Sequence, residues 1–156
     1  MPTTKSTQRG FIHLGLDVAK DSIAVGILRP DDAVPDIEKI FHDKVSIRHL
    51  ISRFPDPRQL RSCYEAGSTG YELHRLLSSI GVTTDVVAPS LIPQVPGDHV
   101  KTDRRDCRRL ARLHRAGELT PIRVPTRAEE GIGDLCRARQ VVVEERRRAR
   151  QRLCKT

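Results

Sequence analysis

Apolar residues fall into short runs along the first ninety or so positions of the chain, and their spacing predicts alternating strands and helices. Phe11 to Val18 (FIHLGLDV) and Ser22 to Leu28 (SIAVGIL) are β-type runs separated only by Ala19, Lys20 and Asp21. Ile37 to Val45 is a weaker third run after a loop holding Pro and Asp. Together they predict a three-stranded antiparallel meander. Ser46 then reads as the cap of a helix in which Ile47, Leu50, Ile51 and Phe54 recur at helical spacing, stopped by Pro55 and Pro57. Leu60 to Ala66 follows as a strand, Gly70 to Ile80 as a helix and Val82 to Ala88 as a strand, with a Pro-containing loop after it.

Crossover helices make the later strands parallel, whereas three residues between the first two strands cannot hold a helix. The order predicts an α/β fold with a mixed five-stranded sheet, βββαβαβα, of the ribonuclease-H-like kind. A long helix follows it. The expected division is a disordered tail over 1–10, a sheet domain over 11–120 and a basic helical segment over 121–156, the start of a linker or coiled coil.

Charge is unevenly spread. The 156 residues carry a formal charge of +8, yet positions 1–100 hold 11 Lys and Arg against 12 Asp and Glu, while positions 101–156 hold 17 against 8. A basic excess confined to the last third points to a polyanionic partner. Only five residues are aromatic (Tyr 2, Phe 3, Trp 0), so backbone contact is favoured over base stacking. No apolar run is long enough for a membrane span, and MPTTKSTQRG lacks the apolar stretch of a signal peptide, which predicts a cytoplasmic protein without membrane partners. Cys63, Cys107, Cys136 and Cys154 form no C-x-x-C pair, so reduced thiols are expected.

Carboxylates stand out against this pattern. Strand alternation sets Asp17 on one face with Phe11, His13 and Gly15, and Glu65 ends the fourth strand just before Gly67. Residues at the carboxyl ends of parallel strands border the site crevice of such sheets. In the helix-like stretch DRRDCRRLARLHR, Asp103, Asp106, Cys107, Leu110, Leu113 and His114 share one face, and Arg104, Arg105, Arg108, Arg109, Arg112 and Arg115 take the other. The acids therefore lie on the apolar side, where an unneutralised carboxylate is costly. Asp17, Glu65, Asp103 and Asp106 are thus expected to converge into an oxygen-only set suited to Mg²⁺ or Mn²⁺, able to act on a phosphodiester. His13, His74, His99 and His114 are expected in the core or on the surface and not as ligands. Lys101 and Thr102 precede the acids and are candidates for holding phosphate, with a solvated surface role as the alternative.

Gly15-Leu16-Asp17-Val18-Ala19-Lys20, Tyr64-Glu65-Ala66-Gly67, Val87-Ala88-Pro89 and Lys101-Thr102-Asp103-Arg104-Arg105-Asp106 resemble the DEDD transposases of the IS110 class of bacterial insertion sequences. The resemblance covers nearly the whole chain. It implies that the family's four metal-binding acids fall on Asp17, Glu65, Asp103 and Asp106, and that the fold is the Holliday-junction-resolvase version of ribonuclease H. It further implies site-specific DNA recombination with divalent metal, guided by a structured RNA that the element encodes. Cys107 departs from the alanine usual after the second Asp, a change an apolar face tolerates.

The resemblance also implies a second domain carrying a nucleophilic serine, reached through a long helix, so a chain stopping at Thr156 is expected to be a truncated or partial copy. That helix opens with Thr126-Arg127-Ala128-Glu129, a capping box, and carries Ala128, Leu135, Val142 and Ala149 at heptad spacing, which predicts self-association into a homo-oligomer. Arg146, Arg147 and Arg150 in its Arg-rich end join Lys101, Thr102, Arg104, Arg105 and Arg108 as candidate nucleic-acid contacts. Three rivals are a non-catalytic nucleic-acid-binding remnant, a resolvase-like nuclease and a sugar-kinase-like ATPase. Against the last, Asp17 is followed by Val-Ala-Lys and not by a Gly-Thr phosphate turn.

Overall fold

The computed structural model describes residues 10–93 and 103–154, with side chains described from Arg105 onward in the second stretch. The chain divides into two compact units, one ending at Ile122 and one running from Arg123.

In the first unit, β1 (Ile12–Val18), β2 (Ser22–Leu28) and β3 (Asp36–Phe41) form an antiparallel meander. The hairpin between β1 and β2 closes where the Ala19 amide donates to the Ser22 carbonyl at 2.9 Å. α1 (Lys44–Ser52) leads to β4 (Leu60–Glu65), and α2 (Glu72–Ser79) leads to β5 (Thr83–Val87). Both β4 and β5 are parallel to β1, and the sheet order is β3-β2-β1-β4-β5. This is the predicted mixed five-stranded α/β sheet of the ribonuclease-H-like kind.

Two boundaries differ from the sequence reading by more than two residues. The third strand stops at Phe41 and not at Val45, because Asp43 caps α1: its carboxylate accepts the Ser46 amide at 2.8 Å and the Ser46 hydroxyl at 2.8 Å. Ser46 sits one turn inside the helix it was expected to cap. A carboxylate is the stronger acceptor for the unpaired amides of a first turn, so the cap falls three residues earlier.

Chain direction assigns the faces. The crossovers β3-α1-β4 and β4-α2-β5 both travel the same way across the sheet, so right-handedness places α1 and α2 on one face. There Leu14, Leu16 and Tyr64 are buried, with Ile47, Leu50, Ile51, Leu73 and Leu77 as the apolar sides of the two helices. Buried Ser62 and Thr84 satisfy each other through a 2.7 Å hydrogen bond. The other face belongs to α3 (Asp103–Ala116), which crosses β1 and β2 and also touches β4 and β3.

α3 approaches closely because Gly15 and Gly26, directly paired across β1 and β2, present no side chain. A Cβ at Gly15 would overlap the Cys107 carbonyl oxygen and the Ala111 amide nitrogen, and one at Gly26 would stand 2.7 Å from the same carbonyl oxygen. Those obstacles are helix backbone, which cannot rotate aside. Cys107 and Ala111, both fully buried, fill the shallow seat.

In the second unit, α4 (Arg127–Leu153) carries the predicted capping box: the Thr126 hydroxyl accepts the Glu129 amide and the Glu129 carboxylate accepts the Thr126 amide. No α4 residue is buried, and Ile132, Leu135, Val142 and Leu153 are all well exposed. Among the described residues no helix is long and apolar enough to cross a membrane.

The seat generates the first prediction. Gly15→Ala should destabilise the first unit by about 3 kcal/mol or prevent its folding, with Gly26→Ala milder, both read by urea denaturation. Gly131→Ala, where a Cβ meets nothing within 4 Å, should instead stabilise α4 by about 0.5–1 kcal/mol. A second prediction concerns pH. Hydrogen bonds from Arg123 and then from the Thr126 amide push Glu129 down to about 2 from its ordinary 4.5. A folded-state value below the unfolded one means a contribution fully present above about pH 4.5 and lost as pH falls toward 2. The circular-dichroism helix signal should fall in that window, and Glu129→Gln should flatten the fall.

Candidate functional site

Asp17 and Glu65 occupy the carboxyl-terminal ends of two neighbouring parallel strands. The register pairs Gly15 with Cys63 and Leu16 with Tyr64, so the two acids follow as the next step of the same ladder. Cys63 faces α3, since its thiol donates to the Leu110 carbonyl. Glu65, two residues on, shares that face by alternation, as Asp17 does with Gly15. Asp17 is half-buried and Glu65 exposed. The carboxyl end of the sheet thus presents adjacent acids toward the start of α3.

α3 runs antiparallel to β1. Its His114 meets His13 near the beginning of the strand, while Cys107 and Ala111 meet Gly15 at the middle. The amino-terminal turn, with Asp103 and Asp106 in its sequence, is therefore carried toward the Asp17 end. Asp106 is half-buried. The charge of Asp17 reaches the neighbouring Cys107, whose thiol is pushed up to about 11, first by burial and then by that carboxylate. The amino terminus of a helix also carries partial positive charge, which eases the crowding of acids there.

The Asp103 side chain, Lys101 and Thr102 lie outside the described residues, as does the Arg104 side chain. Among the described residues, no three His, Cys, Asp or Glu side chains gather into a metal-holding cluster. The donor chemistry nevertheless suits a hard divalent cation. The acids offer oxygen alone, Cys107 is held as a neutral thiol, and the two histidines under α3 are occupied with each other.

The apolar face of α3 is as the pattern predicted, with Cys107, Leu110, Ala111 and His114 buried. The arginine face is less uniform. Arg105 and Arg112 are exposed, but Arg108 and Arg109 are half-buried, with Arg108 Nε, Arg109 Nε and Arg109 Nη2 covered and unpaired. Arg115 turns back to the sheet and donates to the Asp32 carbonyl at 2.7 Å, tying down the loop between β2 and β3. It is a structural residue. In α4, Arg146, Arg147 and Arg150 are exposed.

Sequence reasoning missed a buried polar chain beneath α3. His13 Nδ1 lies 3.2 Å from His114 Nδ1, and His114 Nε2 lies 3.0 Å from Asp85 Oδ2. His13 is fully buried and His114 is 4% exposed. The signal was present: His13 shares the Asp17 face of its strand, His114 the apolar face of its helix, and Asp85 interrupts a strand. The glycine pair was likewise visible, but only the register shows that Gly15 and Gly26 are opposite each other.

Thiol reactivity tests this burial pattern. Burial also pushes up Cys63, so Cys63 and Cys107 should resist a disulfide reagent at neutral pH while exposed Cys136 and Cys154 react at once. Two fast thiols in the folded protein and four in denaturant are expected.

Comparison with known proteins follows the same lines. The model of the DEDD transposase family of the IS110 type, described as "Transposase", matches residues 14–156. The y4qE protein of Sinorhizobium fredii (strain NBRC 101917 / NGR234), named as a transposase, is 46% identical over 143 residues, covering 90% of this chain and 37% of that protein. The "Transposase for insertion sequence element IS1533" of Leptospira borgpetersenii is 35% identical over 147 residues, covering 92% of this chain and 42% of its own length. The chain thus spans about two fifths of the length of these curated relatives.

Proposed function

The chain belongs to the DEDD transposases of the IS110 type, and on that footing we propose that the acidic end of its sheet is the part that acts on DNA phosphodiesters during transposition. The observation that carries this reading is the placement of Asp17 and Glu65 side by side at the ends of parallel strands, with the amino-terminal turn of α3 brought over them. Asp17, Glu65 and Asp106, with Asp103 from the same turn, would hold Mg²⁺ or Mn²⁺. Bound there, the divalent cation supplies Lewis-acid stabilisation of charge developing on the phosphoryl and leaving oxygens.

The chain's own residues do the rest. The carboxylates would fix where charge on the backbone is tolerated, because acids brought to one end of the sheet would repel a phosphate unless a cation intervened. Exposed Arg105 and Arg112 on α3, with Arg146, Arg147 and Arg150 on α4, offer guanidinium forks to nucleic-acid backbone. Arg108 is half-buried and contributes less of its surface. Lys101, Thr102 and Arg104 stay in this proposal on the strength of their position beside Asp103. A structured guide RNA and a second copy of the chain are partners proposed from the family resemblance and from the exposed Leu135 and Val142. The competing reading, a nucleic-acid-binding remnant with the acids kept only for folding, predicts no metal response.

Calorimetry separates the two. Mg²⁺ or Mn²⁺ should raise the melting temperature of the wild type, since a ligand that binds only the folded state stabilises it. Asp17→Asn combined with Asp106→Asn should remove most of that rise; an equal response in both proteins would overturn the metal site. For the basic surface, replacing Arg146, Arg147, Arg148 and Arg150 by Ala should flatten log K against log salt for duplex DNA by roughly 3 to 4 units if each residue meets a phosphate. An unchanged slope would remove α4 from the contact surface.

A further inference from the structure

The buried chain Asp85, His114, His13 has no part in the reading above, yet it lies under the same helix that carries Asp103 and Asp106. Its geometry limits where its protons can sit. The Asp85 carboxylate can only accept, so His114 donates to it from Nε2. The two Nδ1 atoms face each other across a 3.2 Å gap, one donating and the other accepting. One hydrogen lies between the two facing nitrogens. Each of the three groups comes from a different element: Asp85 from β5, His114 from α3 and His13 from β1.

Spacing shows what this joint controls. From His13 to Asp17 is four residues of strand, about 13 Å. From His114 back to Asp106 is eight residues of helix, about 12 Å. With α3 antiparallel to β1, pinning His114 to His13 brings Asp106 level with Asp17, and the contact of Gly15 with Ala111 and Cys107 lies between the two. The glycine seat sets the depth of α3 but consists of backbone and small side chains, over which a helix can slide or roll. A directional hydrogen bond between two rings 4% exposed or less admits one register.

We infer that His13, His114 and Asp85 are positioning residues: a buried three-element joint that sets the register of α3 on β1 and so aligns its acids with Asp17 and Glu65 for a divalent cation. The inference rests on the metal reading proposed above. Asp85 has 37% of its side chain exposed, so the outer end of the joint is within reach of solvent while the two rings are not.

The test is Mn²⁺ binding by the whole chain, measured by titration calorimetry for wild type, His114→Leu and His114→Gln, with circular dichroism on each. Leu keeps an apolar volume and removes both hydrogen bonds; Gln keeps one donor and one acceptor. His114→Leu should bind Mn²⁺ about 10-fold more weakly with its helix signal intact, a size within the range of couplings between separated sites, while His114→Gln should stay near the wild type. Affinities unchanged in both variants, or reduced equally in both, would overturn the joint. A wild type that binds no Mn²⁺ would overturn the metal reading itself and this inference with it. Should His114→Leu not fold, the wild type alone decides through nitrogen NMR of the histidine rings during Mg²⁺ titration. The His13 and His114 signals should shift along the metal-binding curve while exposed His49 stays still; no shift would overturn the coupling.

Discussion

Everything on the acidic face depends on the contact between two glycines and one helix. Gly15 and Gly26 stand opposite each other in the middle of the β1–β2 ladder, and the backbone of α3 at Cys107 rests where their side chains would have been. Glycine in a strand is unfavourable by roughly 0.5–1 kcal/mol relative to alanine, so two adjacent ones weaken the sheet unless something uses the space. Here α3 uses it. The close approach buries Cys107 and Ala111 completely and places a helix with six arginines in fourteen residues against the middle of the sheet.

That seat has an electrostatic consequence. A helix lying this low brings its amino-terminal turn, with its partial positive charge and its acids, to the carboxyl end of β1 and β4. The acids are then close enough for Asp17 to influence Cys107, yet they stand at the rim and not in the core, with Asp17 and Asp106 half-buried and Glu65 exposed. Full burial of several carboxylates would demand their neutralisation by protons. A rim position keeps them within reach of solvent. At the other end of α3 the polar groups are of a different kind: two histidines and one aspartate that satisfy one another within the fold. The same helix thus carries a closed polar set at one end and an open one at the other.

Much of this is legible in the amino-acid sequence. Hydrophobic runs place all five strands because each is short and bounded by turn residues, and the three-residue link at 19–21 already forbids a doubly wound topology. The α3 face containing Cys107, Leu110 and His114 follows from helical period alone. What was not legible is whatever depends on pairing. Asp43 outcompetes Ser46 as a cap because a charged acceptor is available one turn earlier, a contest that apolar spacing does not record. Arg115 looks like its arginine neighbours in sequence, and only the position of the β2–β3 loop turns it inward to the Asp32 carbonyl. His13, Asp85 and His114 are separated by up to 101 positions, so their chain exists only once sheet order and helix direction are known.

The second unit obeys different physics. α4 spans 27 residues without a single buried side chain, so tertiary packing within the described chain does not account for it. Its stability must come from local terms. The capping box satisfies amides at the start, Arg123 grips Glu129, and Arg137 with Asp134 and Arg148 with Glu144 add pairs one turn apart. Each such pair contributes only a few tenths of a kcal/mol, and Gly131 and Gly133 work against them. A helix held by such small terms is sensitive to its surroundings in a way the sheet is not. Its exposed Leu135 and Val142 gain by being covered, and its arginines gain by meeting a polyanion, so either kind of contact would stabilise the helix as well as bind to it.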